Sequence, residues 1–133
     1  MKMSWHARQE SPLSIVEIEG PMGGGPHADT FRQDVLRLAE EGWVNAIFDL
    51  SKVRYVYSPG VGMILGAYTS LRNRGGDLKL VVNTERIRNL FHLIQLYKVL
   101  DIHEDLESAR ARFMEELKDR DVDPPRASQE ARG

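Results

Sequence analysis

The sequence predicts an α/β fold, one mixed sheet of about four to five strands packed with about four helices, and three observations carry that expectation. Short β-rich runs alternate along the chain with stretches whose apolar residues recur every three to four positions, as strands and packed helices do. Val44 to Leu50 is an apolar run of the length of a buried strand, and Leu78 to Val82 is too apolar for a half-exposed one, so layers are expected on both faces of the sheet. With 133 residues, 41% of them hydrophobic, the chain can build one core but not two comfortable ones.

Leu13 to Ile18 is β-rich and bounded by Pro12 and Gly20, and Met3 to Arg8 is its candidate antiparallel partner. Gly20 to Pro26 reads as a Gly/Pro-rich connection. Phe31, Val35, Leu38 and Ala39 then recur at helical spacing with Arg32, Gln33, Arg37 and Glu40 opposite, capped by Asp29 or Thr30 and ended by Gly42. The strand Val44 to Leu50 leaves through Asp49 and Ser51 into a polar loop. Ser58 stands where an N-cap belongs, and Pro59 at the first helical position, where its missing N–H is harmless. The inward stripe of this second helix is Val61, Ile64, Leu65, Tyr68 and Leu71, with Arg72, Arg74 and Gly75-Gly76 at its end. After Leu78 to Val82, Thr84 opens a third helix carrying Ile87, Leu90, Phe91 and Ile94. A short strand around Val99 to Ile102 precedes a last helix from about Glu104 to Leu117, with Leu106, Ala109, Phe113 and Leu117 inward. From Asp119 the sequence has almost nothing to bury, so residues 1–118 are expected to form the domain and 119–133 a disordered tail.

Composition narrows the function classes. There are no cysteines, which excludes disulfides, thiolate metal sites and a cysteine nucleophile. A net charge of −2 leaves no electrostatic footprint for nucleic acid. No apolar run is long enough to insert directly into a membrane, and the N-terminus lacks the apolar core of a secretory signal, so a cytoplasmic protein is expected. His6, His27, His92 and His103 are scattered without the i, i+4 spacing that grips zinc, and no metal or cofactor is expected.

Catalysis is not expected either. Gly20 to Pro26 lacks the Lys-Ser or Lys-Thr ending of a phosphate-binding loop, and a mobile turn is the better reading. Asp49 is one carboxylate at a strand end without a partner acid or histidine, suited to accepting hydrogen bonds from the residues after it and, with Ser51, to structuring the loop. Ser58 lacks the flanking glycine of a nucleophile elbow, since position 56 is Val56, and capping is the better reading. The start of the second helix does carry free N–H groups and a partial positive charge, which favours an anion or a phosphorylated side chain there. Gly60, Gly62, Met63, Gly66, Ala67 and Ser70 give its outer face small or soft residues where a solvated face would be charged. With Tyr55, Tyr57 and Ser58 they read as a docking surface for a protein; the alternative is that this face packs inside the domain.

The pattern Phe48-Asp49-Leu50-Ser51-x-Val53, then Ser58-x-Gly60-x-Gly62, Leu65-Gly66-x-Tyr68 and Arg74-Gly75-Gly76 resembles the STAS domain of sulfate transporters and anti-sigma factor antagonists, from about Leu13 to about Phe113. The resemblance implies a non-enzymatic interaction module that binds a kinase-type anti-sigma factor and so frees a sigma factor. The implied partner is a protein, an anti-sigma factor or serine kinase, docking around Tyr55, Tyr57, Ser58, Pro59, Gly60, Gly62 and Met63; a homo-oligomer is compatible with it. In bacterial members the loop reads Asp-Ser-Ser-Gly or Asp-Ser-Thr-Gly, and the second hydroxyl is phosphorylated. Here it reads Tyr57-Ser58-Pro59-Gly60, so Pro59 replaces the acceptor and Ser58 is the fallback phosphoacceptor. Two alternatives stand beside this one. The first is a STAS subunit of a stress-signalling scaffold or an ABC-type lipid-transport complex. The second is a small nucleotide- or phosphate-binding protein that uses the Gly-rich loop.

Overall fold

The computed structural model describes residues 2–23 and 26–120. Along the chain these form β1 (Ser4–Glu10), β2 (Leu13–Met22), α1 (His27–Glu40), β3 (Asn45–Val56), α2 (Ser58–Asn73), β4 (Asp77–Val81), α3 (Glu85–Leu93), a 3-10 turn (Leu96–Lys98), β5 (Asp101–His103) and α4 (Leu106–Arg120). The strands make one five-stranded sheet in the order β1-β2-β3-β4-β5, antiparallel between β1 and β2 and parallel thereafter. This is the mixed sheet with four helices that the alternating pattern predicts.

Period-two alternation sends neighbouring strand residues to opposite layers. Val16, Ile18, Phe48, Leu50 and Leu80 face α1, α2 and α3, in a core that also holds Phe31, Ile64 and Phe91. Leu13, Ile15, Ile47 and Val81 face α4 alone, against Ala109, Phe113 and Leu117. The buried character of β4 is therefore explained by layers on both sides. One member of that strand breaks the apolar pattern: Lys79 is buried on the α4 side, with Nζ 3.0 Å from Asp101 and 2.9 Å from Glu116, and 4.8 Å from the centre of the Phe113 ring. Its charge is answered in place by two carboxylates and an aromatic face, the condition for keeping a cation inside.

Several boundaries differ from the sequence expectations. β2 continues through Gly20, Pro21 and Met22, and Met22 is fully buried; Gly24 and Gly25, in the remainder of the Gly-rich connection, lie outside the described residues. α1 starts at His27 behind Pro26 with no side-chain cap, so Asp29 sits in the first turn, where its charge suits the helix dipole, and Thr30 is inside the helix. Gly42 (φ +103°) ends α1 as expected, with Trp43 N–H closing onto the Leu38 carbonyl. β5 begins at Asp101, after Val99 and Leu100. α4 extends through Asp119 to Arg120, and the expected tail beyond it lies outside the described residues. Among the described residues no helix is long and apolar enough to cross a membrane.

Candidate protein-docking site

The largest departure concerns β3, which runs on to Val56 and leaves only Tyr57 between strand and helix. The expected polar loop is strand. Glu17 pairs Asp49 and Glu19 pairs Lys52, so β3 carries one more residue than β2 over that step; Gly20 to Pro21 against Val53 to Tyr55 adds another. Two bulges let Ser51 to Val56 stay in the sheet while the strand bends toward α2. Asp49 Oδ1 accepts the Ser51 N–H at 3.0 Å across the first bulge. Asp49 does accept a hydrogen bond from a residue after it, as expected, but both residues are strand members. They stand roughly 20–30 Å of strand away from Ser58, so they are not part of the helix-terminal site.

The end of β2 and the start of α2 are locked together. Tyr57 N–H donates to the Met22 carbonyl at 2.9 Å, and the Tyr57 carbonyl accepts from Val61 N–H at 3.1 Å. Gly23 (φ +114°) and Gly60 lie backbone against backbone, and a Cβ on Gly60 would come 2.5 Å from the Met22 carbonyl oxygen. Only glycine lets the two segments approach this closely. Tyr57 is the N-cap, with extended backbone, Ser58 the first helical residue and Pro59 the second, one position later than expected for each. Pro59 remains harmless because the first four helical N–H groups have no helical acceptor. Ser58 makes no capping hydrogen bond, and its side chain is exposed; no acidic residue occupies the first turn of α2, so the dipole there is uncompensated.

Two grooves flank α2. One, of about 230 Å³, lies between α1 and α2 and is lined by Phe31, Arg32, Pro59, Gly62, Met63 and Gly66 among others. Gly62 and Gly66 are exposed, and a Cβ on either would meet nothing within 4 Å. The outer face of α2 is thus divided: Gly62 and Gly66 are open, Met63 and Ser70 half-buried, and Gly60 and Ala67 buried. The inward stripe is Gly60, Ile64, Ala67 and Leu71, while Val61, Leu65 and Tyr68 are only half-buried. The second groove, of about 580 Å³, lies between α2 and the segment after α3. Tyr55 and Tyr57 meet edge to face at 5.0 Å beside it, and the Arg86 guanidinium stands 4.4 Å over the Tyr55 ring.

The structure brings Tyr55, Tyr57, Ser58 and Pro59 together and leaves Gly62 on the adjoining open face; Gly60 serves the internal contact with Gly23. Met63 packs partly against the core. Ile94, placed inward by its spacing, is exposed, and His92 is exposed and stacked on Tyr97. Sequence reasoning passed over the apolar surface after α3; the signal was that Leu93, Ile94, Leu96, Tyr97 and Val99 exceed what one inward stripe can use. Among the described residues no group of three metal-ligating side chains converges.

A five-stranded mixed sheet with three helices on one face, one on the other, and a glycine-tight start to the second helix defines an α/β domain. Residues 4–109 match the STAS domain, and the chain belongs to that family. It is 33% identical over 75 residues to the anti-sigma-B factor antagonist of Bacillus subtilis (strain 168), covering 56% of this chain and 68% of that protein. It is 38% identical over 63 residues to the anti-sigma-B factor antagonist of Listeria monocytogenes, 47% of this chain and 54% of the relative's length, so this alignment spans about half of that relative. In structure it resembles an anti-sigma factor antagonist from Mycobacterium paratuberculosis, with a TM-score of 0.75 at 19% identity, over 85% of this chain and 95% of that one.

Proposed function

We propose that this chain is an anti-sigma factor antagonist, a non-enzymatic module that occupies an anti-sigma factor through the start and open face of α2 and so frees a sigma factor. The observation that carries this reading is the exposed, uncharged surface of Tyr57, Ser58, Pro59 and Gly62 at an uncompensated helix N-terminus, in a STAS domain with named antagonist relatives. Pro59 cannot accept a phosphate, so the partner, a kinase-type anti-sigma factor, is bound without a phosphorylation step at that position. Ser58 is the one aliphatic hydroxyl left in the motif.

The direct test is calorimetric binding to the anti-sigma factor of the same host, with Gly62→Glu as the probe. Space around Gly62 is open, so the variant should melt normally yet bind more weakly by about 2 kcal/mol or more. A folded variant that binds normally would remove the interface from this face. Met63→Glu is a poorer probe, because Met63 packs partly against the core and a buried charge costs stability. Intact-mass analysis of protein from its host should show no phosphate; stoichiometric phosphate on Ser58 would overturn phosphate-independent binding. Pro59 also suits a STAS subunit of a signalling scaffold or an ABC-type transport complex, which needs no phosphorylation, and a host partner of that kind in place of the anti-sigma factor would establish it.

A further inference from the structure

Five of the six large apolar side chains exposed among the described residues belong to the start of α2 or to residues 93–99: Tyr57, Leu93, Ile94, Tyr97 and Val99, with only Met114 elsewhere; Tyr97 lines a separate groove with His92. Exposed apolar residues scattered singly need no explanation, but contiguous ones mark a surface that something covers. Tyr57, Ile94 and Val99 also line the groove between α2 and α3, whose floor includes Val61, Leu65 and Leu90 and which has no charged residue in its lining. The chain is forced into this shape. Gln95 takes a left-handed conformation (φ 60°), uncommon for a residue with a side chain, and turns the backbone out of α3 into the 3-10 turn.

Basic groups stand beside the groove. Arg86 shares a face of α3 with Leu90 and Ile94, four and eight residues on, and its guanidinium is held over Tyr55 in the groove wall. Lys98, exposed, adjoins Val99. The N-terminus of α2, reached at Ser58, adds its partial positive charge with no acid in the first turn. The acid nearest in sequence, Glu85, is turned about 100° around α3 from Arg86. A small molecule filling the floor would leave the apolar rim in water, whereas an amphipathic helix laid along the groove covers floor and rim together.

We infer that the α2–α3 groove docks an amphipathic helix of a protein partner, its apolar face in the groove and acidic residues on its flanks against Arg86, Lys98 and the α2 N-terminus. The inference deepens the reading above and rests on it only in taking the partner to be a protein.

The probe is a fluorescent, stapled synthetic helix of about four turns with leucines along one face and glutamates on the flanks, compared with its lysine-flanked counterpart by anisotropy. The glutamate helix should bind the full-length protein at least about tenfold more tightly than the lysine helix, and added salt should shrink the difference. Ile94→Glu and Val99→Glu, at exposed positions, should each weaken binding about tenfold or more with unchanged melting, and Arg86→Glu should erase the preference for glutamate flanks. Met114→Glu, at an exposed position of α4 on the other side of the sheet, should leave the affinity unchanged. Equal binding of the two helices, binding of neither, or loss of binding in Met114→Glu overturns the inference. So does a dimer in sedimentation that Val99→Glu dissociates, because a second copy would then be the occupant. An anti-sigma factor that binds wild type and Val99→Glu alike sinks this inference and spares the function proposed above. Selective capture of the glutamate helix by a protein that binds no anti-sigma factor does the reverse.

Discussion

At the level of single residues, the glycines of α2 divide into two kinds that the sequence alone cannot separate. Gly60 faces the Met22 carbonyl, so Gly60→Ala forces backbone atoms apart and should destabilise by about 1–3 kcal/mol, the usual cost of overpacking. Gly62→Ala and Gly66→Ala meet open space in a helix and should each stabilise by about 0.5–1 kcal/mol by restricting the unfolded chain. Urea midpoints of the three variants check this, and a stabilising Gly60→Ala would refute the tight contact with β2. The glycine spacing was legible, but what each glycine faces depends on a strand about 40 residues away in the chain. The N-cap slipped by one residue for a different reason. Pro is acceptable anywhere in the first turn, so Ser58-Pro59 did not fix the register, and the Tyr57 N–H bond to Met22 did. Acid should act through two carboxylates. Hydrogen bonds from Arg110 and Arg8 hold Glu10 below the ordinary range, and for Asp101 the upward push of burial is outweighed by His103 and Lys79. Both pKa values are lowered by folding, so the stability they contribute is complete above the unfolded value of about 4 and is lost as pH falls through the lower folded value. Denaturant midpoints should therefore drop as pH falls below about 4, and Glu10→Gln or Asp101→Asn should each flatten the drop; an unchanged profile in both would contradict it.

At the level of elements, existence and order were legible and ends were not. Helical spacing found all four helices because each buries one stripe. β3 was cut short because its apolar run stops at Leu50, whereas the structure continues it through bulges in which Val53 and Val56 remain buried while Lys52 and Arg54 do not. A bulge shifts the period of two, so alternation fails as a guide at that point. β4 poses the opposite case, since Lys79 reads as a break in an apolar strand and is in fact buried at 1% exposure. Lys79→Ala removes the cation between Asp101 and Glu116 and leaves a void, and should cost about 3 kcal/mol. Lys79→Met fills the space and should cost less than Lys79→Ala. Thermal melts of the pair check the ranking, and equal melting of both variants with wild type would mean that the ion pairs and packing contribute nothing.

At the level of the whole molecule, the two faces of the sheet are unequally covered. Three helices close one side over a core that takes in most of the buried residues, whereas α4 closes the other over Leu13, Ile15, Ile47 and Val81. Its further ties include the Arg110–Glu10 bridge at 2.8 Å, the Glu116–Lys79 pair and the His103–Ser108 contact at 2.8 Å. Releasing α4 leaves the β3–α2 junction and both grooves untouched, and the free energy needed is less than that of dissolving the main core. Backbone amides of α4 should accordingly exchange with deuterium through a local opening, well before those at the centre of β3, which wait for global unfolding. Equal protection in the two would mean that the layers open as one. Limited proteolysis should likewise nick α4 first, and the trimmed domain would carry the proposed docking surface intact.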